Sequence, residues 1–126
     1  MSIVPYVYAV LRAVPRVDRG ECMNVGVVLY CQQRDFLAAT VHVDADRLLA
    51  LDAGTDIDGL REGLRAVQEA CSQESLSSAR EGGGSGAVFR WLTAPRSTVL
   101  QPGPVHGGVT GNPAVELDRL TGRLVR

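Results

Sequence analysis

The amino-acid sequence predicts an α+β fold: a three-stranded antiparallel meander at the N-terminus packed against two or three helices, with a short additional strand near residues 97–100. Three apolar segments rich in β-branched residues come first and are separated by short polar turns. Segments with apolar residues at helical spacing follow them. At 126 residues the chain has the usual size of one domain, so we expect a single domain over residues 1–126.

The meander is predicted from strands at residues 6–14, 22–31 and 36–43. In the first connector, Gly20 suits the left-handed conformation that follows a type I turn and forms a bulge. Glycine in the middle of a strand weakens it unless a bulge or another backbone lies close. Gly26 therefore predicts one of these two features in the second strand.

The register of the first hairpin decides which polar side chains share a face of the sheet. An even register would place Arg12 near Asn24, with Tyr6, Tyr8 and Tyr30 further along the same, less apolar face. The opposite face of the second strand is predicted to be core, through Met23, Val25, Val27, Leu29 and Cys31.

Capping patterns predict helices after the meander. Asp44 precedes a short apolar segment at residues 47–51, and Thr55 begins a capping box before a longer helix. Asn112, followed by proline, predicts the cap of a final amphipathic helix. One apolar stripe runs along the longer helix, at Ile57, Leu60, Leu64, Val67 and Cys71.

Two glycine-rich segments are predicted to be irregular. Residues 72–86 are polar and end in a glycine cluster, which favours a flexible loop at about residues 80–86. A phosphate-binding loop is excluded there because its motif needs a lysine, which the chain lacks. Residues 101–113 contain three prolines and four glycines, a composition that predicts no regular structure.

The composition excludes several classes of function. All 13 basic residues are arginine, so lysine-dependent chemistry such as Schiff-base formation is excluded. The net charge of −1 provides no overall basic field for nucleic acid or an anionic membrane. No apolar run is long enough to span a bilayer and no export signal is recognised, so we expect a cytoplasmic protein. Widely spaced Cys22, Cys31 and Cys71 predict reduced thiols rather than a metal site, and we expect no cofactor.

The first of two polar clusters surrounds the predicted hairpin. Arg12, Arg16 and Arg19 are candidate anion-binding residues, because a guanidinium offers paired donors in a fork. Asn24 could orient the ligand. Glu21 is an acid–base candidate.

The second cluster lies near the C-terminus. Arg96 and Ser97 could bind a phosphate or carboxylate, and His106, framed by glycines, could act as an acid or base. The alternatives are a surface histidine in a turn and an ion pair of Arg96 with Glu21 or another carboxylate. A joint site requires both clusters to converge on one cleft.

Three stretches of the chain carry a family resemblance. They are residues 6–12, residues 15–21 running into residues 24–29, and a later stretch made of residues 90–92, 95–98 and 105–108. Together they resemble a bacterial family catalogued as domain of unknown function 3037. The resemblance implies no assigned activity, and it implies a partnership with HipA-like kinases, which are encoded beside some members. The resemblance includes a segment that in the family reads arginine-aromatic-arginine-tryptophan. In this chain Val88 replaces the first arginine, so a function of that arginine cannot be carried over.

Two functions remain open on the sequence. The first is a non-catalytic accessory or recognition module that acts with a protein partner such as a HipA-like kinase. The small size and the lack of a complete catalytic template favour it. The second is an enzyme or ligand-binding protein for a phosphate- or carboxylate-containing substrate, with an arginine-rich pocket.

Overall fold

The computed structural model describes residues 2–78 and 82–126 and has the predicted α+β architecture. Within these ranges the strands form one antiparallel sheet in the order β3-β2-β1-β4. The elements in chain order are β1 (Val4–Ala13), β2 (Met23–Cys31), β3 (Phe36–Val41), α1 (Ala45–Leu51), α2 (Ile57–Ala70), α3 (Gln73–Ser78), α4 (Gly84–Leu92), β4 (Leu100–Thr110) and α5 (Pro113–Leu124). No helix in the described ranges has the length and apolar character needed to cross a membrane.

Different helices pack on the two faces of the sheet. Helices α1 to α4 cover one face, which we call the four-helix face, and Leu48, Leu64 and Phe89 belong to the core there. Helix α5 covers the other, which we call the α5 face, through Leu117 and Leu120. Because α5 packs mainly against β2 and β3, the α5 face of β1 and β4 is left largely open.

The first hairpin has the predicted left-handed glycine, but the predicted even register holds only next to the loop, at the pairs Arg12–Asn24 and Ala13–Met23. Gly20 is left-handed, with φ of 72°, and Arg12 lies directly opposite Asn24. The pairing jumps from Leu11–Gly26 to Arg12–Asn24, so Val25 is the extra residue of a β-bulge. The bulge beside Gly26 confirms the interpretation of that glycine.

The same bulge overturns the predicted division of β2 into one core and one polar face. Val25 packs on the four-helix face and Leu29 on the α5 face, since one extra residue shifts the alternation of side chains. Tyr30 is therefore on the four-helix face, where its ring stacks on Phe89 at 5.7 Å between centroids. Its predicted alignment with Tyr6 and Tyr8 is wrong.

The predicted short strand at 97–100 and the predicted irregular segment at 101–113 are both wrong. Strand β4 begins at Leu100 and continues through Thr110, despite two prolines and three glycines. Of the strands that the structure describes, it pairs with β1 alone and so forms an edge of the sheet. An edge strand tolerates proline because the amide that proline lacks can face away from the ladder.

The helix caps follow the predictions with one correction. Asp44 caps α1 and Asn112 caps α5, each through its side chain. The cap of α2 is Asp56, which accepts from the Gly59 amide, rather than Thr55. Helix α2 presents the predicted apolar stripe to the core.

The predicted polar segment at 72–86 contains more helix than composition suggested. Helix α3 occupies Gln73–Ser78 and helix α4 starts at Gly84. The cap residue Gly83 and Gly84 both have positive φ. Of the loop predicted at about 80–86, residues 80 and 81 lie outside the described part of the chain.

Candidate functional site

The open half of the α5 face carries a row of aromatic and basic side chains. Tyr6, Tyr8 and Arg12 come from β1, and His106 lies opposite Tyr8 on β4. The Tyr8 and His106 ring centroids are 5.5 Å apart, and those of Tyr6 and Tyr8 are 6.1 Å apart. We call this surface, formed by these four residues, the Tyr8 face.

Glycines of β4 let the longer side chains of β1 lie flat on the sheet. A Cβ atom at Gly103 would stand 2.9 Å from Cζ of Arg12, and one at Gly108 would stand 2.6 Å from the Tyr6 hydroxyl. No side chain of ordinary size fits under either group. The glycines of this edge strand thus shape the floor of the Tyr8 face.

Arg12 is the notable cation of this surface. Its side chain is partly buried, between Asn24 on one neighbouring strand and Gln101 on the other. No other residue of the described ranges forms a hydrogen bond or ion pair with its guanidinium. A guanidinium has five N–H donors in a planar fork, and no residue in the described part of the chain occupies any of them.

Tyr6 closes one end of the face through an ion-paired network with α5. Its hydroxyl donates to Glu116 at 2.5 Å, and Arg119 binds the same carboxylate through two nitrogens at 2.9 and 2.7 Å. Burial, and then the hydrogen bond to Glu116, raise the pKa of Tyr6 to about 12. The hydrogen bond from Arg119 lowers the pKa of Glu116 against the opposing effect of burial.

The lowered pKa of Glu116 predicts how stability depends on acid. The carboxylate stabilises the fold above its unfolded pKa of about 4.3, and this contribution is lost as pH falls through the lower folded value. Urea unfolding of Glu116→Gln should therefore show a shallower loss of stability below pH 4 than the wild-type protein. Parallel acid profiles for the two proteins would contradict this assignment.

Asn24 lies on the same side of the sheet but has a structural partner. Its amide nitrogen donates to the Leu124 carbonyl at 3.0 Å and so holds the last turn of α5 against β2. The carbonyl oxygen of the Asn24 side chain has no hydrogen bond within the described residues. The residue can still orient a ligand through that oxygen.

The remaining predicted residues of the hairpin lie in its exposed loop and pair locally. Arg16 contacts Asp18 at 3.4 Å, and Arg19 contacts Glu21 at 2.6 Å. These arginines are already partly neutralised by their neighbours.

Glu21 and His106 do not form an acid–base pair. The loop is attached at Ala13, five residues along β1 from Tyr8, which is opposite His106. At ~3.3 Å per residue this places the loop about 16 Å from the histidine.

Arg96 and Ser97 are not brought to the Tyr8 face. Arg96 lies over the Trp91 ring, 4.8 Å from its centroid, and donates to the Trp91 carbonyl at 2.5 Å. It lines a cleft between α2, α4 and the start of β4, on the four-helix side of the sheet. Ser97 is exposed in the preceding loop. The expected convergence of both arginine clusters on one cleft is therefore not observed, and Arg96 has no ion pair with Glu21.

A cavity of 290 Å³ lies beside that cleft and away from the Tyr8 face. Its walls are mainly apolar, and its charged residue, Asp56, is occupied in capping α2. The volume of this cavity favours it as a ligand site. The hydrogen-bond donors of Arg12, which have no partner among the described residues, favour the Tyr8 face instead. We give more weight to the chemistry because it specifies what would bind.

The pair Glu116 and Arg119 was missed because the acidic residues of α5 resemble a solvated helix face. The structure shows instead that the Glu116 side chain is 13% exposed and is bound by Tyr6. The spacing of three residues between Glu116 and Arg119, which suits a helical ion pair, was the available signal. No sequence signal predicted the contact with Tyr6, which is 110 positions away in the sequence.

These features define an α+β protein with a four-stranded antiparallel sheet, covered by helices on one face and half covered on the other. The chain belongs to the family described as "Protein of unknown function (DUF3037)", whose sequence profile matches residues 8–125. No curated protein and no solved structure shows significant similarity to it.

Proposed function

We propose that this protein is a non-catalytic recognition module that binds a carboxylate or phosphate group on the Tyr8 face. The observation that carries the proposal is Arg12, a partly buried residue whose guanidinium lies against Gly103 and has no hydrogen-bond or ion-pair partner within the described residues. A charge in such a position gains from pairing with an anion, because the surrounding protein weakens its hydration.

The neighbouring carboxylates do not compete for Arg12. Glu116 is bound by Arg119 and Tyr6, and Glu21 is bound by Arg19. The paired donors of Arg12 match the two oxygens of a carboxylate or phosphate. The rings of Tyr8 and His106 lie on the same face of the sheet, four residues along β1 from Arg12, and offer aromatic surface to the rest of an extended ligand.

The geometry favours recognition over catalysis. The ring of His106 packs on Tyr8, and no hydrogen bond from the described residues orients it. A general base of known enzymes is held by such a bond and stands close to its partner group. The other acid–base candidate, Glu21, belongs to the distant hairpin loop.

The acidic group can come from two sources with the same chemistry. One is a free small anion, and the other is an acidic or phosphorylated side chain of a protein partner. The family resemblance motivates a HipA-like kinase as that partner, with this chain as its accessory protein in the cytoplasm.

The experiment compares Arg12→Gln with the matched control Arg16→Gln, which removes an exposed loop arginine. Backbone amide spectra are recorded during titration with inorganic phosphate and with citrate. We expect shifts centred on Tyr8, Arg12 and His106, and a loss of affinity of roughly tenfold or more in Arg12→Gln, because a charge-assisted contact is removed. The control should bind like the wild-type protein.

A second arm distinguishes the sources of the anion. Tagged wild-type protein and both variants are purified from cells that also express a HipA-like kinase. Retention of the kinase by wild type and Arg16→Gln but not by Arg12→Gln identifies a side chain of the partner as the ligand. Binding of phosphate or citrate without retention of the kinase identifies a small anion. If Arg12→Gln binds both as well as the wild-type protein does, the proposal is wrong.

A further inference from the structure

The outer side of β4 is an unpaired sheet edge. Strand β4 contains 11 residues and, among residues 2–78 and 82–126, pairs with β1 alone, so its other side presents backbone donors and acceptors without a neighbouring strand from these ranges. Unpaired edges of this length template the addition of another strand. The opposite edge, β3, is only six residues long and is packed by α5 on one face and α2 on the other.

The second half of β4 lacks the usual protection of an exposed edge. Natural edges are guarded by charged side chains, proline or a bulge. In β4 both prolines, Pro102 and Pro104, and the register shift opposite β1 lie in the first half. Residues 105–110 contain no proline and no aspartate, glutamate, lysine or arginine. Val105 and Val109 are 48% and 66% exposed there.

The sequence of this segment is complementary to itself. Val105 and Val109 stand symmetrically about Gly107, and both lie on the four-helix face, opposite Ala9 and Pro5 of β1. We propose that residues 105–109 pair antiparallel with the same segment of a second copy, with the two Gly107 residues opposite each other at the two-fold axis. The occupant of the edge is thus a second copy of this chain.

This register pairs suitable side chains on both faces. Val105 of each copy lies opposite Val109 of the other, which covers four exposed valines in two cross-strand pairs. His106 lies opposite Gly108 of the second copy, so the bulkier residue meets the one without a side chain. No charged group of β4 opposes another.

The pairing would join two sheets into one of eight strands, with both Tyr8 faces on the same side. A two-fold axis perpendicular to the sheet keeps equivalent faces together. His106 of the second copy would then approach the Tyr6 end of the first copy's face. The dimer does not depend on anion binding and can be tested separately.

The test is sedimentation equilibrium over a range of protein concentrations. We expect the wild-type protein to approach twice the chain mass. The double variant V105K/V109K places like charges directly opposite in both pairs, so its dimer dissociation constant should rise roughly tenfold or more. The matched control Val115→Lys changes a valine on α5 that is 64% exposed and should leave association unchanged.

Charge complementation identifies the contact. Mixing V105K/V109K with V105E/V109E restores opposite charges in both pairs and should restore the dimer mass, while far-ultraviolet circular dichroism verifies that each variant is folded. A wild-type protein that remains monomeric at all concentrations overturns the proposal. So does a dimer that survives V105K/V109K or is abolished by Val115→Lys.

Discussion

Leu29→Ala should lower the free energy of unfolding by about 3–4 kcal/mol. Leu29 lies in the central strand β2, has no exposed surface and faces α5, where it shares a core with Leu117 and Leu120. This core is the smaller of the two, so few neighbours are present to fill the space that the truncation leaves. The cost therefore includes both the lost apolar burial and the cavity.

Urea unfolding followed by tryptophan fluorescence and by circular dichroism measures this effect. The matched control is Leu49→Ala on α1, where the side chain is 40% exposed and truncation should cost less than about 1 kcal/mol. Similar losses for the two variants would show that the α5 core contributes little.

Gly26→Ala should destabilise the protein by about 3 kcal/mol, at the upper end for overpacking. An added Cβ would stand 2.7 Å from the Thr40 carbonyl oxygen, 3.3 Å from Leu11 and 3.4 Å from Val41. The first contact is with backbone in the neighbouring strand. It cannot be relieved by rotating a side chain, so the β2–β3 pairing must shift.

Gly122→Ala is the control, with the opposite sign expected. Gly122 lies in α5, and an added Cβ there meets no atom within 4 Å. Alanine in an exposed helix should stabilise the protein by up to about 1 kcal/mol. The two midpoints of thermal unfolding should thus move in opposite directions. Equal shifts would mean that the backbone at Gly26 is not crowded.

The local elements of the fold were predictable because their signals lie within a few residues of each other. The Gly20 turn, the Asp44 and Asn112 caps and the apolar stripe of α2 are confirmed. The prediction of an irregular segment failed at β4. Composition shows that the segment is rich in proline, but it does not show that the segment forms the edge of a sheet. Only an edge position makes Pro102 and Pro104 compatible with a strand.

The candidate site was predictable in part. The even register correctly placed Arg12 opposite Asn24, whereas His106 reached the same face only through the unpredicted strand β4. Arg96 went to the other side of the sheet because Trp91 holds it there. Whether an arginine forms an ion pair depends on residues that are distant in the sequence and close in the fold. A local sequence pattern contains no information about those contacts.

The sequence by itself determined the family, the α+β class, the caps and the absence of lysine chemistry, since these follow from residue identity and short spacing. Tertiary structure alone decided that α5 covers β2 and β3 and leaves β1 and β4 open. It also decided that Glu116 is paired with Arg119, whereas Arg12 has no ion pair with any residue that the structure describes. The physical reason is that burial and ion pairing depend on distances between segments up to 110 residues apart, and those distances are set by packing against the whole sheet.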